Sequence, residues 1–179
     1  VQPFTFQVFT DSSVLEQTAP NPTVYTVNVD FAAMEFSVNA DVTAQVQAVD
    51  LVLPPVGGST SGCEAADFAG FTAGKIALIQ RGTCTFFQKA SNAQAAGAVG
   101  VIIFNEGNTP DRTGLDFFTL GGPGVTIPVV STSFALGVDL NNLISSNLTM
   151  HMQTNLTPET RSSNNVIAET PGGRSDRVV

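Results

Sequence analysis

Residues 75–104 constrain the fold most. KIALIQ (75–80) reads as a short buried strand, and VGVIIF (99–104) is a near-continuous apolar run. A strand covered on both faces has this pattern. Between them, the turn Arg81-Gly82-Thr83-Cys84 leads into a segment where Phe86, Ala90, Ala93 and Gly97 recur at helical spacing. Thr85 followed three residues later by Gln88 has the form of a capping box, and Gly97 suits the C′ position that ends a helix. The small alanines let that helix lie close to a sheet. Strand, helix and strand in about thirty residues make a βαβ unit with a right-handed crossover.

The flanks differ in character. Residues 1–22 read as an arm with one strand over 5–9, broken at Ala19-Pro20-Asn21-Pro22. Residues 23–29 alternate with period two, and 42–53 form a longer Val-rich β run that stops at Pro54-Pro55. A Gly/Ser loop follows over 57–62, so the first 60 residues read as all-β. After residue 104 comes a long loop, 105–124, of a length that is usually functional or mobile. Phe117 and Phe118 inside it either anchor it or stand exposed. A short strand is expected over 127–130, with Pro128 near its start. Ser131 or Ser133 caps a second helix carrying Leu136, Leu140, Leu143 and Ile144 on one side. Residues 148–153 alternate again, and 164–169 suggest a last strand before a polar tail. No internal repeat is present.

The length of 179 residues suits one domain with flanking arms. Apolar residues make up 42% and charged residues only 12%, which excludes a disordered acidic tail and a coiled coil. The longest apolar stretch, 98–104, is too short to span a membrane. No basic segment followed by an apolar one opens the chain, so any signal peptide is expected to have been removed already. The net charge is −8, and residues 1–74 contain eight acids with no Lys or Arg. Without a basic stripe, nucleic acid and anionic membranes are not expected partners. The acidic half reads as a solvated surface. Cys63 and Cys84 are either one disulfide of an extracellular protein or two buried thiols. Neither lies in a Cys-x-x-Cys pair, so a zinc or thioredoxin-like motif is unsupported.

Catalytic groups are scarce. In LTMHMQ (148–153), His151 shares a face with Thr149 and Gln153, the polar side of the strand. A single histidine cannot supply a catalytic zinc site, which usually takes more than one. Glu64 with Asp67, and Asp111 with Asp116, are near in sequence but read as loop solvators or turn formers. Asn105, Glu106, Asn108 and Asp111 offer oxygens without the spacing of an EF-hand calcium loop. Gly121-Gly122-Pro123-Gly124 is a turn, not a phosphate cradle. Glycosylation triplets begin at Asn147 and Asn155. The Arg81-Gly82-Thr83-Cys84 turn remains. Helix amides and the Arg81 guanidinium converge there and could hold a carboxylate or a peptide carbonyl. Alternatively, Arg81 pairs with a nearby acid and only ties a loop down.

Residues 62–107, GCEAADFAGFTAGKIALIQRGTCTFFQKASNAQAAGAVGVIIFNEG, resemble the protease-associated (PA) domain. The likeness rests on a cysteine before Asp-Phe, the Gly-Lys-Ile strand, Arg-Gly-x-Cys-x-Phe before a lysine, and the Asn-Ala-Gln-Ala-Ala-Gly-Ala helix entering Val-Ile-Ile-Phe-Asn. Ile127-Pro128-Val129-Val130 and a helix with Leu140 extend it over about 45–150. The resemblance implies an α+β fold: a β-sandwich or open β-barrel of about seven strands flanked by two or more helices. It implies a Cys63–Cys84 disulfide. It also implies a non-catalytic domain that shapes an active-site entrance, binds peptide segments or contacts proteins. Peptide binding would involve Arg81, Gly82 and Thr83, with Asn105 and Glu106 as weaker candidates and 105–124 as a variable lip.

Residues 165–173 and 176–179 resemble the segment that re-enters the catalytic core of secreted zinc aminopeptidases, in which the PA domain is an insertion. The implied division is an N-terminal arm and first strands at 1–44, the PA domain at 45–160 and a return arm at 161–179. No cofactor is expected in this chain, with zinc in the missing catalytic domain. The implied partners are that peptidase domain and a peptide or protein substrate, and the implied location is extracellular. A structural spacer, or an interaction module without peptide binding, is the alternative.

Overall fold

In a computed structural model, the 75–104 segment forms the expected βαβ unit. Residues 2–165 are described. Beyond Asn164 and Asn165, the expected strand at 164–169 and the resembling tail lie outside them. Ten strands, β1 to β10, and two α-helices, α1 and α2, are present among the described residues.

Strands β6 (Ile76–Gln80) and β7 (Gly100–Phe104) are parallel, with Leu78 opposite Ile102, and both are buried along their whole length. α1 (Phe86–Ala95) joins them. Thr85 caps it by accepting the Gln88 amide at 3.2 Å. The Gln88 side chain does not return to Thr85, as a full capping box requires, but donates to the Cys63 carbonyl at 2.7 Å. Gly97, at φ +86°, ends the helix in the left-handed region.

The sheet grows from this unit on both sides. β5 (Ala40–Val49) pairs parallel with β6, and β8 (Val129–Thr132) pairs parallel with β7. Antiparallel strands flank this set: β4 (Phe31–Ala33) on β8, then β9 (Thr149–Thr154) on β5, β2 (Val14–Ala19) on β9 and β3 (Thr23–Tyr25) on β2. The order β3-β2-β9-β5-β6-β7-β8-β4 is an open sheet of eight strands. The PA-domain resemblance implies about seven strands; this sheet has eight, with the three-residue strands β3 and β4 at its edges.

Alternation along β6 and β7 divides the core. Ala77, Ile79, Val101 and Ile103 pack with Ala90 and Ala93 of α1, while Ile76, Leu78, Ile102 and Phe104 pack with Leu140 of α2 (Phe134–Leu143). The two helices therefore cover opposite faces, which is why both central strands read as unbroken apolar runs. Ser133 caps α2 by accepting the Leu136 amide. Leu148, Met150 and Met152 of the β9 segment are buried, and His151 lies on the other face, as the alternation requires.

Three elements differ from their patterns. β3 stops at Tyr25 because the Asp30 carboxylate accepts the Thr26 amide at 2.8 Å and Asn28 turns at φ 62°. β5 ends at Val49, and Asp50 at φ 42° diverts the chain before the prolines. β8 begins two residues later than expected, after Pro128, whose carbonyl accepts the Val101 amide. A disulfide joins Cys63 to Cys84 across 21 residues.

The unit of residues 11–156 contains all of this. A smaller unit pairs β1 (Gln2–Asp11) with β10 (Leu156–Asn165), with Phe4 and Phe6 stacked 5.7 Å apart on one side.

Two outcomes are expected. A Cβ at Gly137 would lie 2.1 Å from the Phe104 ring, so Gly137→Ala should destabilise by about 1–3 kcal/mol in urea unfolding. Lys89 is fully buried, and burial lowers its pKa from 10.5 to about 8, opposed by Asp67 and Glu106. Between those pH values the unfolded chain binds the extra proton, so this group adds stability as pH rises from about 8. Urea unfolding from pH 7.5 to 9.5 should show that rise, and Lys89→Met should flatten it.

Candidate functional site

β5, β6 and β7 run parallel and end together, at Val49, Gln80 and Phe104. Ligands of open α/β sheets bind outside such carboxyl ends. The chain segments beyond them form the site. A buried polar cluster holds them in place. The Gln80 side chain accepts the Val52 amide at 2.9 Å and donates to the Glu106 carbonyl at 2.8 Å. Ser61 Oγ donates to the Val49 carbonyl and accepts the Gln80 amide at 3.1 Å. Lys89 Nζ donates to the Ser61 carbonyl and lies 3.6 Å from Cys63 Sγ.

This cluster presses residues 58–63 against the Arg81–Cys84 turn. Thr83 N–H donates to the Ser59 carbonyl at 3.0 Å. A Cβ on Gly82 would lie 1.8 Å from that carbonyl oxygen, so only glycine permits this approach. Ser59 N–H in turn donates to Glu106 Oε1 at 2.8 Å. Glu106 is buried, and its Oε2 pairs with Arg112 from the 3-10 turn Pro110–Arg112.

A groove of about 600 Å³ opens here, lined by Gly58, Gly82, Thr83, Glu106, Asn108, Thr109, Asp111 and Arg112. Asn108 Nδ2 donates to the Gly57 carbonyl at 3.3 Å, and its buried Oδ1 has no partner among the described residues. Asp111 is exposed. The Thr109 hydroxyl, its own backbone amide and Arg112 hold its carboxyl below the usual range.

Of the five candidate residues, Gly82, Thr83 and Glu106 line the groove. Arg81 and Asn105 point elsewhere. Arg81 Nη1 donates to Asn105 Oδ1 at 3.1 Å and to Asp116 Oδ2 at 3.0 Å, and its guanidinium lies 4.7 Å from the centre of the Phe118 ring. Phe118 stacks on Phe86 at 4.4 Å. Asn105 Nδ2 also donates to Asp116 Oδ2, at 3.1 Å, and to the Gly114 carbonyl, at 2.8 Å. These contacts pin the long loop, leaving Phe117 exposed and Phe118 anchored. Sequence reasoning does not single out Arg112. Its only signal is a basic residue six positions after Glu106 in a loop rich in polar groups.

His151 sits between two carboxylates, Glu16 at 3.3 Å and Asp41 at 3.0 Å, far in sequence from the groove residues. Glu64 and Asp67 build a turn in which Glu64 N–H donates to Asp67 at 3.0 Å. No group of three or more His, Cys, Asp or Glu side chains among the described residues is arranged to hold a metal. No helix among them is long and apolar enough to cross a membrane.

A parallel sheet edge, a cystine beside its central turn and a groove above the strand ends define the class. The PA domain family model matches residues 44–140, more than half the chain, and the chain belongs to that family. An aminopeptidase of Pseudomonas aeruginosa is 46% identical over the whole chain, which spans 34% of that relative. A leucine aminopeptidase 2 of Arthroderma otae is 38% identical over 83% of the chain, which spans 28% of that relative. Among solved structures, an aminopeptidase from Aneurinibacillus superposes with a TM-score of 0.63 at 31% identity, over 90% of this chain and 35% of its own. A zinc aminopeptidase from Bacillus subtilis gives 0.62 at 25% identity, over 90% and 35%. The chain thus spans about a third of the length of these relatives.

The loop pin predicts a local effect. Asp116→Ala should speed amide hydrogen exchange around residues 113–119, while urea unfolding changes by no more than about 1 kcal/mol, as for a partly exposed ion pair.

Proposed function

We propose that this chain is the non-catalytic PA domain of a secreted zinc aminopeptidase, and that it holds peptide segments near the parent active site and so gates their access. The observation that carries this reading is the groove at the carboxyl ends of the parallel strands, where Gly82, Thr83 and Glu106 meet. The aminopeptidase relatives support the parent activity, and the likeness to the Bacillus subtilis zinc aminopeptidase supports zinc in the region this chain does not span. The Cys63–Cys84 disulfide supports an extracellular setting. In this reading residues 1–44, an arm followed by the first strands, and residues 161–179 link the PA domain to the peptidase body.

Affinity should be weak, because an open groove buries little of a peptide. Millimolar to micromolar binding corresponds to about 4–8 kcal/mol. NMR titration of the chain with short capped peptides should shift the amides of Gly82, Thr83 and Glu106 in a saturable way. Thr83→Trp, which fills the groove from its wall, should abolish those shifts. Binding of every peptide unchanged by Thr83→Trp would place it elsewhere. The purified chain should release no amino acids from peptides, with or without added zinc.

A spacer role is the second reading, and the Arg81–Asp116–Phe118 pin favours it, since Arg81 is occupied by the chain's own loop. It predicts no saturable shifts with any peptide, and loss of parent activity when the domain is deleted.

A further inference from the structure

The groove contains one guanidinium, and its setting differs from that of Arg81. Arg81 is committed on three sides, to Asn105, Asp116 and the Phe118 ring. The Arg112 side chain makes one hydrogen bond among the described residues, to Glu106 Oε2, and its charge also acts on the neighbouring Asp111 carboxylate. Glu106 cannot swing, because it is buried and its other oxygen accepts the Ser59 amide. Arg112 is therefore oriented from behind by a fixed carboxylate, while its side chain stays 38% exposed at the groove. A guanidinium has five N–H donors in a rigid fork. Among the described residues only Nη1 is used, which leaves the remaining edge of the fork unpaired. Beside it, Gly58 and Gly82 line the groove without side chains, and neither backbone is hydrogen-bonded to any described residue.

The charges around the groove do not cancel. Asp67, Glu106, Asp111 and Asp116 stand against Arg81, Lys89 and Arg112. Glu106 pairs with Arg112 and Asp116 with Arg81, and Lys89 is buried behind the wall between Asp67 and Glu106. Asp111 is exposed at the groove and makes no direct ion pair among the described residues; the positive charges of Arg112 and Arg81 act on it from further off. A bound anion would meet that carboxylate and a chain of net charge −8. A neutral carbonyl would not, and a cation would be attracted.

Building on the peptide-groove reading, we infer that Arg112 is the residue that recognises bound peptide. The edge of its guanidinium not held by Glu106 donates to a backbone carbonyl, while Asp111 makes the groove select neutral or basic segments and reject acidic ones.

The test is an NMR titration of the full chain at low salt with three capped, amide-ended pentapeptides that differ at the central position: Lys, Ala or Asp. The Lys peptide should bind most tightly and the Asp peptide most weakly, and the spread should shrink as salt rises. Arg112→Ala should weaken all three at least tenfold. Removing Arg112 also leaves buried Glu106 unpaired, so Arg112→Lys serves as the second variant. It keeps Glu106 paired and the spectrum native, but a single ammonium committed to Glu106 lacks the second edge, and it too should lose most of the affinity. Asp111→Asn should collapse the Lys-to-Asp ordering while the Ala peptide binds as before. Peptides that bind the groove within twofold of the unmodified chain in both Arg112 variants would overturn the inference and leave the peptide-groove reading standing. Tightest binding of the Asp peptide would overturn the charge selection. No saturable binding of any peptide would remove both readings together.

Discussion

The carbonyl of Ser59 pressed against the backbone of Gly82 is the contact on which the site depends. It puts the 57–63 segment directly over the end of β6. A side chain at position 82 would displace it, and with it the Ser59 amide that holds Glu106. Glu106 then has no fixed orientation, and Arg112 has no anchor. The Cys63–Cys84 disulfide secures the same approach covalently a few residues away. Ser61, Gln80 and Lys89 secure it from below by hydrogen bonds inside the core. Buried polar groups of this kind are costly unless fully partnered, so the network tolerates few arrangements of the three strand ends.

Lys89 shows what the network demands. A fully buried ammonium is destabilising by itself, and its lowered proton affinity records that cost. Its position is nonetheless specific: it reaches the Ser61 carbonyl and sits beside Cys63, and it faces the buried Glu106. An apolar residue would fill the space without the bond to the Ser61 carbonyl. The helix, the cystine and the groove floor are thus joined by Lys89 together with Gln88 and Asn92, which donate to the Cys63 and Gly62 carbonyls.

Much of this was legible in the sequence. The βαβ unit could be read because apolar runs on β6 and β7 and the alanine stripe on α1 are local patterns with distinct periods. His151 could be assigned to the polar face because Met150 and Met152 alternate around it. Strand β2 and the edge strand β4 could not be read, because each is short and is specified by its neighbours: Asp11 accepting the Ala33 amide, for example, joins residues 22 positions apart. The site was half legible. Gly82 and Thr83 are found from a local turn between a strand and a helix. Arg112 belongs to the site only because Glu106, six residues earlier, turns inward to meet Ser59 from a different segment. No periodicity or spacing encodes that meeting.

The two arginines show why residue type alone could not assign the roles. Arg81 stands in the conspicuous turn, next to the helix amides, and from the sequence it could hold either a ligand or, as surface arginines usually do, a loop. The structure gives it Asp116, Asn105 and an aromatic face, all from the chain itself. An arginine so fully engaged would have to surrender those contacts to bind anything else, at a loss comparable to what a shallow groove can return. The Arg112 side chain has a single hydrogen-bond partner among the described residues, and that partner is buried, so its charge is balanced while its geometry remains open. A guanidinium oriented by a hidden carboxylate meets a carbonyl without reorganising, and this preorganisation separates a recognition residue from a structural one. On that ground the groove's specificity belongs to the 106–112 segment, and the Arg-Gly-x-Cys turn supplies the floor it works against.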